Sequence, residues 1–232
     1  MTSFRISNDR VPVTMQLLEV EPHQYPQHAY LQPGDRCFHW WDYTSGAGFG
    51  TDGNSVIANI KKNPHTCSPN EKFYKDRDIE RVGQLIAATF IPADTLIFVP
   101  VPPSRCRADP NYDGRLASVL TRAQAAQSAA SRPSLAFAEL VRQKVTRQAM
   151  HASGGNRLTV DQLASGFEVA DREVPNRPMQ YVIFDDLLVS GTHYRAMVQV
   201  LEPHVADGSK FIGLFVARRA IQDDGLPPRI SF

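Results

Sequence analysis

No run of eighteen apolar residues occurs in this chain, so the sequence carries no candidate transmembrane helix. Cysteine is scarce: Cys37, Cys67 and Cys106 are far apart, odd in number and never in a C-x-x-C, which argues against a disulfide framework and fits a reducing compartment. Charge of either sign is in no excess. With 25 Lys and Arg against 24 Asp and Glu the net charge is +1, and the chain has no overall electrostatic footprint for nucleic acid or an anionic membrane. Any phosphate recognition is therefore expected to be local. The first ten residues lack an apolar signal core, and a soluble cytoplasmic protein is expected. No G-x-x-x-x-G-K-[ST] is present, so the paired acids described below have no Walker A partner and are not read as a Walker B strand.

What is there centres on Gln180 to Arg195. Tyr181 to Phe184 form a short apolar run of β-forming side chains that ends in two carboxylates, Asp185 and Asp186. This predicts a buried strand with its acids at the carboxyl end. Leu188, Val189 and then Ser190-Gly191-Thr192-His193 follow, after which Tyr194, Met197, Val198 and Leu201 recur at helical spacing. The loop therefore opens a helix. In an open α/β sheet ligands sit outside the carboxyl ends of the strands, and free N–H groups at a helix start attract phosphate. Carboxylates beside such a cradle suit a ligand that carries both hydroxyls and phosphates.

The rest of the chain alternates strands and helices, which predicts a central parallel sheet flanked by helices. Residues up to Arg36 read as an edge strand and an extended arm. The aromatic set Phe38, Trp40, Trp41 and Tyr43 reads as core or interface, and the Gly-rich stretch Thr44 to Thr51 as a β-turn or hairpin. Val56, Ile57 and Ile60 predict a short helix ending in Lys61-Lys62. Asp78 to Phe90 predicts a core-facing helix with Asp78 as its N-cap, and Leu96 to Val99 a second buried strand leading into Pro100 to Arg107. Gly114 to Ala130 is an Ala-rich helix with Arg115 in its first turn. Leu135 to Val141 reads as a third strand, and Arg142 to Arg157 as a basic, Gly-rich mobile loop. Thr159 and Gln162 form a capping box for a helix reaching Phe167, and Phe211 to Val216 supply a last strand. The expected division is an irregular N-terminal hood over 1–77 and an α/β core over 78–232.

Val182-Ile-Phe-Asp-Asp-Leu-Leu-Val-Ser-Gly-Thr192 resembles the phosphoribosyl diphosphate signature of the type I phosphoribosyltransferase superfamily, and the order of features is most similar to its ComF-type, amidophosphoribosyltransferase-like group. Val99-Pro-Val-Pro102, Asp113-Gly-Arg115, Lys144-Val-Thr-Arg-Gln148, Asn156-Arg157 and Phe167 loosely match further features of that group. The paired C-x-x-C zinc ligands that often begin ComF relatives are absent. The resemblance implies a Rossmann-type core in which Asp185 and Asp186 hold the ribose hydroxyls, with Leu188, Val189, Ser190, Gly191, Thr192 and His193 around the 5-phosphate. It implies diphosphate contacts from Pro102, Pro103, Ser104, Arg105, Arg115, Lys144 and Arg147, with Mg²⁺ held through Asp185, Asp186 and the diphosphate.

The implied reaction is transfer of phosphoribose to an acceptor, usually a nitrogen, with release of diphosphate. The implied partners are phosphoribosyl diphosphate and a small-molecule acceptor, with a homodimer or an accessory protein as the macromolecular expectation. Val189 and His193 stand where the signature has hydroxyl residues; an imidazole N–H still offers a donor to a phosphate oxygen. The other reading is a non-catalytic sensor or effector that binds phosphoribosyl diphosphate or a nucleotide, such as a regulator or an accessory protein of a bacterial stress or phage-defence system. Nucleic-acid binding by ComF analogy is disfavoured by the neutral charge. Cys37-x-His39 and His65-x-Cys67 make a possible Cys₂His₂ zinc set, but one intervening residue is shorter than zinc pairs use, and zinc is not expected.

Overall fold

Val182, Ile183 and Phe184 are fully buried, as a strand covered on both faces of a parallel sheet requires, and each such side chain contributes about 1.5–3 kcal/mol. They lie in the middle of the main sheet of the computed structural model, which describes residues 15–146 and 158–220. Its strands are β1 (Leu18–Glu19), β2 (Cys37–Thr44), β3 (Leu96–Pro100), β4 (Ala136–Phe137), β7 (Gln180–Leu188) and β8 (Lys210–Ala220), in the order β1-β2-β8-β7-β3-β4. All neighbouring pairs are parallel except β1 with β2. β5 (Val141–Gln143) and β6 (Phe167–Val169) form a separate antiparallel ribbon. The architecture is α/β with a mostly parallel sheet flanked by helices, compatible with a Rossmann-like fold.

The helices are α1 (Asp52–Ile60), α2 (Pro69–Thr89), α3 (Arg115–Ala129), α4 (Val160–Ser165) and α5 (Thr192–Leu201). α1 packs on β2 and β8 and against α2; α2 packs on α3, and α3 touches β3 and β7. α5 packs on α4 and β7. The helix expected from Asp78 begins at Pro69. Ser68 is its N-cap in a capping box with Glu71, and Pro69 holds the first turn, so the polar, half-exposed first two turns hide its start from an apolar-periodicity reading. Asp78 instead lies buried in mid-helix, accepting from Asn59 at 2.7 Å and paired with Arg77.

Three further expectations change. The stretch read as one strand over 135–141 is split between β4 and β5, which belong to different sheets. The helix reaching Phe167 stops at Ser165, with Phe167 opening β6, although its Thr159–Gln162 capping box is present. Residues 37–60 form a core parallel strand and its following helix, and the expected boundary at 77/78 falls inside α2. The Gly-rich stretch keeps the expected turns, with Ala47 N–H donating to the Thr44 carbonyl and Gly50 N–H to the Ala47 carbonyl, and of the two expected forms it is the turn and not the hairpin, since it joins β2, which pairs in parallel with β8, to α1. Arg147 and the Asn156-Arg157 pair lie outside the described residues, as does most of the loop expected to be mobile. Among the described residues no helix is long and apolar enough to cross a membrane.

Candidate active site

The strand carrying the acids runs on past them to Leu188, because β8 continues alongside it in register as far as Arg218. Asp185 and Asp186 are therefore inside β7, each only 5% exposed. Successive strand residues project to opposite faces, and the two acids meet different helices. Asp185 Oδ2 lies 2.8 Å from His193 Nδ1 in the first turn of α5, while its Oδ1 accepts the Asp186 N–H at 2.8 Å. Asp186 Oδ2 accepts from Arg115 Nε at 3.1 Å and Nη2 at 2.8 Å, at the start of α3. Its Oδ1 lies 2.9 Å from Lys61 Nζ, just past the end of α1.

The ion pairs continue away from β7. Arg115 Nη1 donates to Asp113 Oδ2 at 3.0 Å, and Lys75 Nζ reaches the same oxygen at 3.2 Å. Burial alone would push the Asp186 carboxyl up, but Lys61 and Arg115 outweigh it and hold the acid below the usual carboxylate range. Burial opposes the charge on Arg115 as well, and Asp186 followed by Asp113 reverses the sign and raises it. For His193 burial acts downward while Asp185, with Asp186 behind it, raises the imidazole above its ordinary value. Lys75 is lowered by burial in spite of Asp113.

The loop from Leu188 to Gly191 is held from outside by the N-terminal arm. His28 is fully buried, which lowers its imidazole below the ordinary value, and because a carbonyl can only accept, its Nδ1–H donates to the Val189 carbonyl at 2.6 Å. Tyr30 N–H donates to the Ser190 carbonyl at 2.9 Å. Gly191 has φ +81°, the left-handed region, and a Cβ there would sit 2.9 Å from Leu31 Cδ2, so the turn needs glycine twice over. The hydroxyls of Ser190 and Thr192 lie 2.7 Å apart. The first N–H groups of α5 have no acceptor within the helix, and Ser190 to Tyr194 line one opening.

The opening is a cavity of about 750 Å³ at the carboxyl ends of β2, β8, β7 and β3. Its floor and α5 side are Asp185 to Tyr194, and its β3 side is Pro100 to Ser104 with Asp113, Gly114 and Arg115. Lys61, Tyr43, Phe49 and Arg219 close the side built from the N-terminal half and β8, and Leu158, Leu163 and Phe167 add apolar surface. Of the residues expected at the site, Asp185, Asp186, Leu188 to His193, Pro102, Pro103, Ser104 and Arg115 thus line one cavity. Arg105 and Lys144 do not. They line a smaller neighbouring pocket of about 210 Å³, where Arg105 pairs with Asp109 and Lys144 Nζ donates to the Ser165 carbonyl.

The four Cys and His residues weighed for zinc are engaged separately. His39 Nδ1 bonds to the Trp41 carbonyl, and His65 Nε2 to the Tyr112 carbonyl. Burial raises the Cys37 thiol far above its usual range. Among the described residues no three His, Cys, Asp or Glu side chains gather as a metal cluster.

Lys61, Asp113, Lys75 and His28 are site residues that sequence reasoning passed over. A Lys at a helix end is ordinary, and nothing local distinguishes Lys61 from Lys62. The loop wall offered a readable signal. Gly48-Phe49-Gly50-Thr51-Asp52-Gly53 is a G-x-G-x-x-G between a parallel strand and a helix, and a Cβ on Gly53 would lie 2.2 Å from the Asp42 carbonyl oxygen. The dinucleotide fingerprint also needs an acid at the end of the next strand, and here α2 follows α1 instead. Buried Asn54 fills the loop, donating to the Thr44 carbonyl and accepting from the Thr44 N–H.

No protein-family model matches the chain, and no curated protein matches it.

Proposed function

We propose that the protein binds phosphoribosyl diphosphate in the large cavity and transfers its phosphoribose to a small acceptor, with release of diphosphate. One observation carries this reading: two buried acids on the central strand and a glycine-turned, hydroxyl-bearing helix start open into the same cavity. A carboxylate accepts hydroxyl hydrogens, and a helix start with its free N–H groups and dipole favours a phosphate dianion. Ribose carrying a 5-phosphate presents both kinds of group on one five-carbon sugar. The likeness of Val182 to Thr192 to the type I phosphoribosyltransferase signature supports the same assignment.

The residues then divide the work by face. Asp185 and Asp186 bind the two ring hydroxyls, while Ser190 to His193 bind the 5-phosphate. Pro102, Pro103, Ser104 and Arg115 lie on the side from which diphosphate departs, where Arg115 offsets the developing negative charge. Arg105 and Lys144 are proposed as diphosphate contacts from the neighbouring pocket, which shares Pro102 and Pro103 with the cavity, and Arg147 lies outside the described residues. Mg²⁺ fits as an ion that arrives on the diphosphate, since among the described residues the carboxylates lining the cavity are Asp185, Asp186 and Asp113, and each already has a side-chain partner. When bound it would neutralise the leaving diphosphate. The apolar wall of Tyr43, Phe49, Leu158 and Phe167 supports a nucleobase or amine acceptor, kept from water while it reacts.

A second reading, a non-catalytic binder of the same ligand, is favoured by Val189, which puts a side chain without hydrogen-bonding capacity at a hydroxyl position of the signature. Labelled phosphoribosyl diphosphate separates the two. A transferase releases labelled diphosphate when pools of nucleobases and amines are added, with loss of release in Asp185→Asn. A sensor binds the ligand and returns it intact.

A further inference from the structure

Lys61 is placed with unusual care for a lysine at a helix end. Lys75, 4% exposed, donates to the carbonyls on both sides of it, Ile60 at 2.6 Å and Lys62 at 2.8 Å, and to Asp113 at 3.2 Å. The Lys61 backbone is thereby pinned to α2 and to the loop before α3. Its side chain is free to reach, being 39% exposed and lining the cavity, and its ammonium has one ion-pair partner among the described residues, Asp186.

Three cations, Lys61, Arg115 and Lys75, surround the carboxylates of Asp186 and Asp113, and Asp185 beside them is paired with His193. Asp186 is also nearly saturated as an acceptor, with two Arg115 N–H groups on Oδ2 and Lys61 on Oδ1. A pair of ring hydroxyls arriving at this carboxylate has to displace something. Arg115 is tied at Nε, Nη1 and Nη2 to two carboxylates; Lys61 is held by one.

We propose, resting on the phosphoribosyl diphosphate reading above, that Lys61 selects for the diphosphate. As Asp186 takes the ribose hydroxyls, the Lys61 ammonium leaves Oδ1 and moves onto the diphosphate oxygens on the Arg115 side of the sugar. No covalent bond changes, and the proton stays on the nitrogen. The Lys61 charge is thus held on a carboxylate in the free protein and delivered to the anion in the complex. Ribose 5-phosphate, which lacks the diphosphate, gains nothing from the transfer. Loss of Lys61 is therefore felt by one ligand and not by the other.

The test is calorimetric titration of the full-length protein with phosphoribosyl diphosphate plus Mg²⁺, and separately with ribose 5-phosphate, for wild type, Lys61→Met and Lys61→Arg. Lys61→Met is expected to weaken phosphoribosyl diphosphate binding by about tenfold or more and ribose 5-phosphate binding by less than about threefold, with Lys61→Arg recovering much of the loss. Unchanged phosphoribosyl diphosphate affinity in Lys61→Met overturns the proposal. So does equal loss for both ligands, which marks Lys61 as a prop for Asp186 alone. If wild type binds neither ligand, the reading on which the proposal rests fails first.

Discussion

His193 Nδ1 lies 2.8 Å from Asp185 Oδ2, and the carboxylate raises the imidazole above its ordinary value although burial pulls the other way. A group whose folded value is raised stabilises the fold below its unfolded value, about pH 6.5, and loses that contribution as the pH climbs through the folded value. Asp185, Asp186 and Lys61 are the charged groups that face it. Urea midpoints are expected to fall as the pH rises above about 6.5 in wild type, and this fall is expected to flatten in His193→Asn. Because the side chain is half exposed, the effect is screened and should shrink in high salt.

His39 gives the opposite response. It is 2% exposed, and burial first, then Arg218, lowers its value from 6.5 to about 4. Its neutral form is the one the fold accepts, so stability present above pH 6.5 is lost as the pH falls toward 4, by on the order of 3 kcal/mol in total. The same urea series carried down to about pH 4 should show this acid loss in wild type, with a shallower slope in His39→Gln.

The Asp186 ion pairs predict an uneven effect of removing either acid. Asp186→Asn leaves Arg115 and Lys61 facing a neutral amide in a buried place and is expected to lower stability by about 3 kcal/mol or more. Asp185→Asn should cost clearly less, since an amide oxygen still accepts the residue 186 N–H and its partner His193 reaches solvent. Thermal melts of the two variants side by side check the order.

Gly191→Ala tests the left-handed turn. The conformational penalty is about 1–2 kcal/mol, and the Leu31 contact adds to it. Adding Leu31→Ala to Gly191→Ala should return the steric part and leave the backbone part, an interaction that a double-mutant cycle reads directly.

How far the sequence led depends on whether each signal was local. β7, its loop and α5 were legible because an apolar run, two acids, a Ser-Gly-Thr and a 3.6-residue period lie within twenty-two residues, Gln180 to Leu201. The reach of β7 beyond its acids was not, since it is set by β8 continuing in register to Arg218. β2 looked like part of a hood because only its parallel pairing with β8, near the far end of the chain, makes it a core strand. The G-x-G-x-x-G between Gly48 and Gly53 is complete in the letters alone, and reading that stretch as a β-turn or hairpin passed over it. Lys61 and Asp186 meet only because α1 ends against the carboxyl end of the sheet. Arg105 and Lys144 lie in a neighbouring pocket and not in the cavity itself, a placement that depends on how the fold turns the segments after β3 and β5.

The central claim is that the cavity floored by Asp185 and Asp186 binds a phosphorylated ribose through those acids. Isothermal titration of wild type and Asp185→Asn with phosphoribosyl diphosphate and Mg²⁺ tests it most directly, because this variant is the one expected to keep its fold. The account predicts a single saturable site in wild type, weakened by about tenfold or more in Asp185→Asn. Equal heats from the two proteins, or none from wild type, would contradict it.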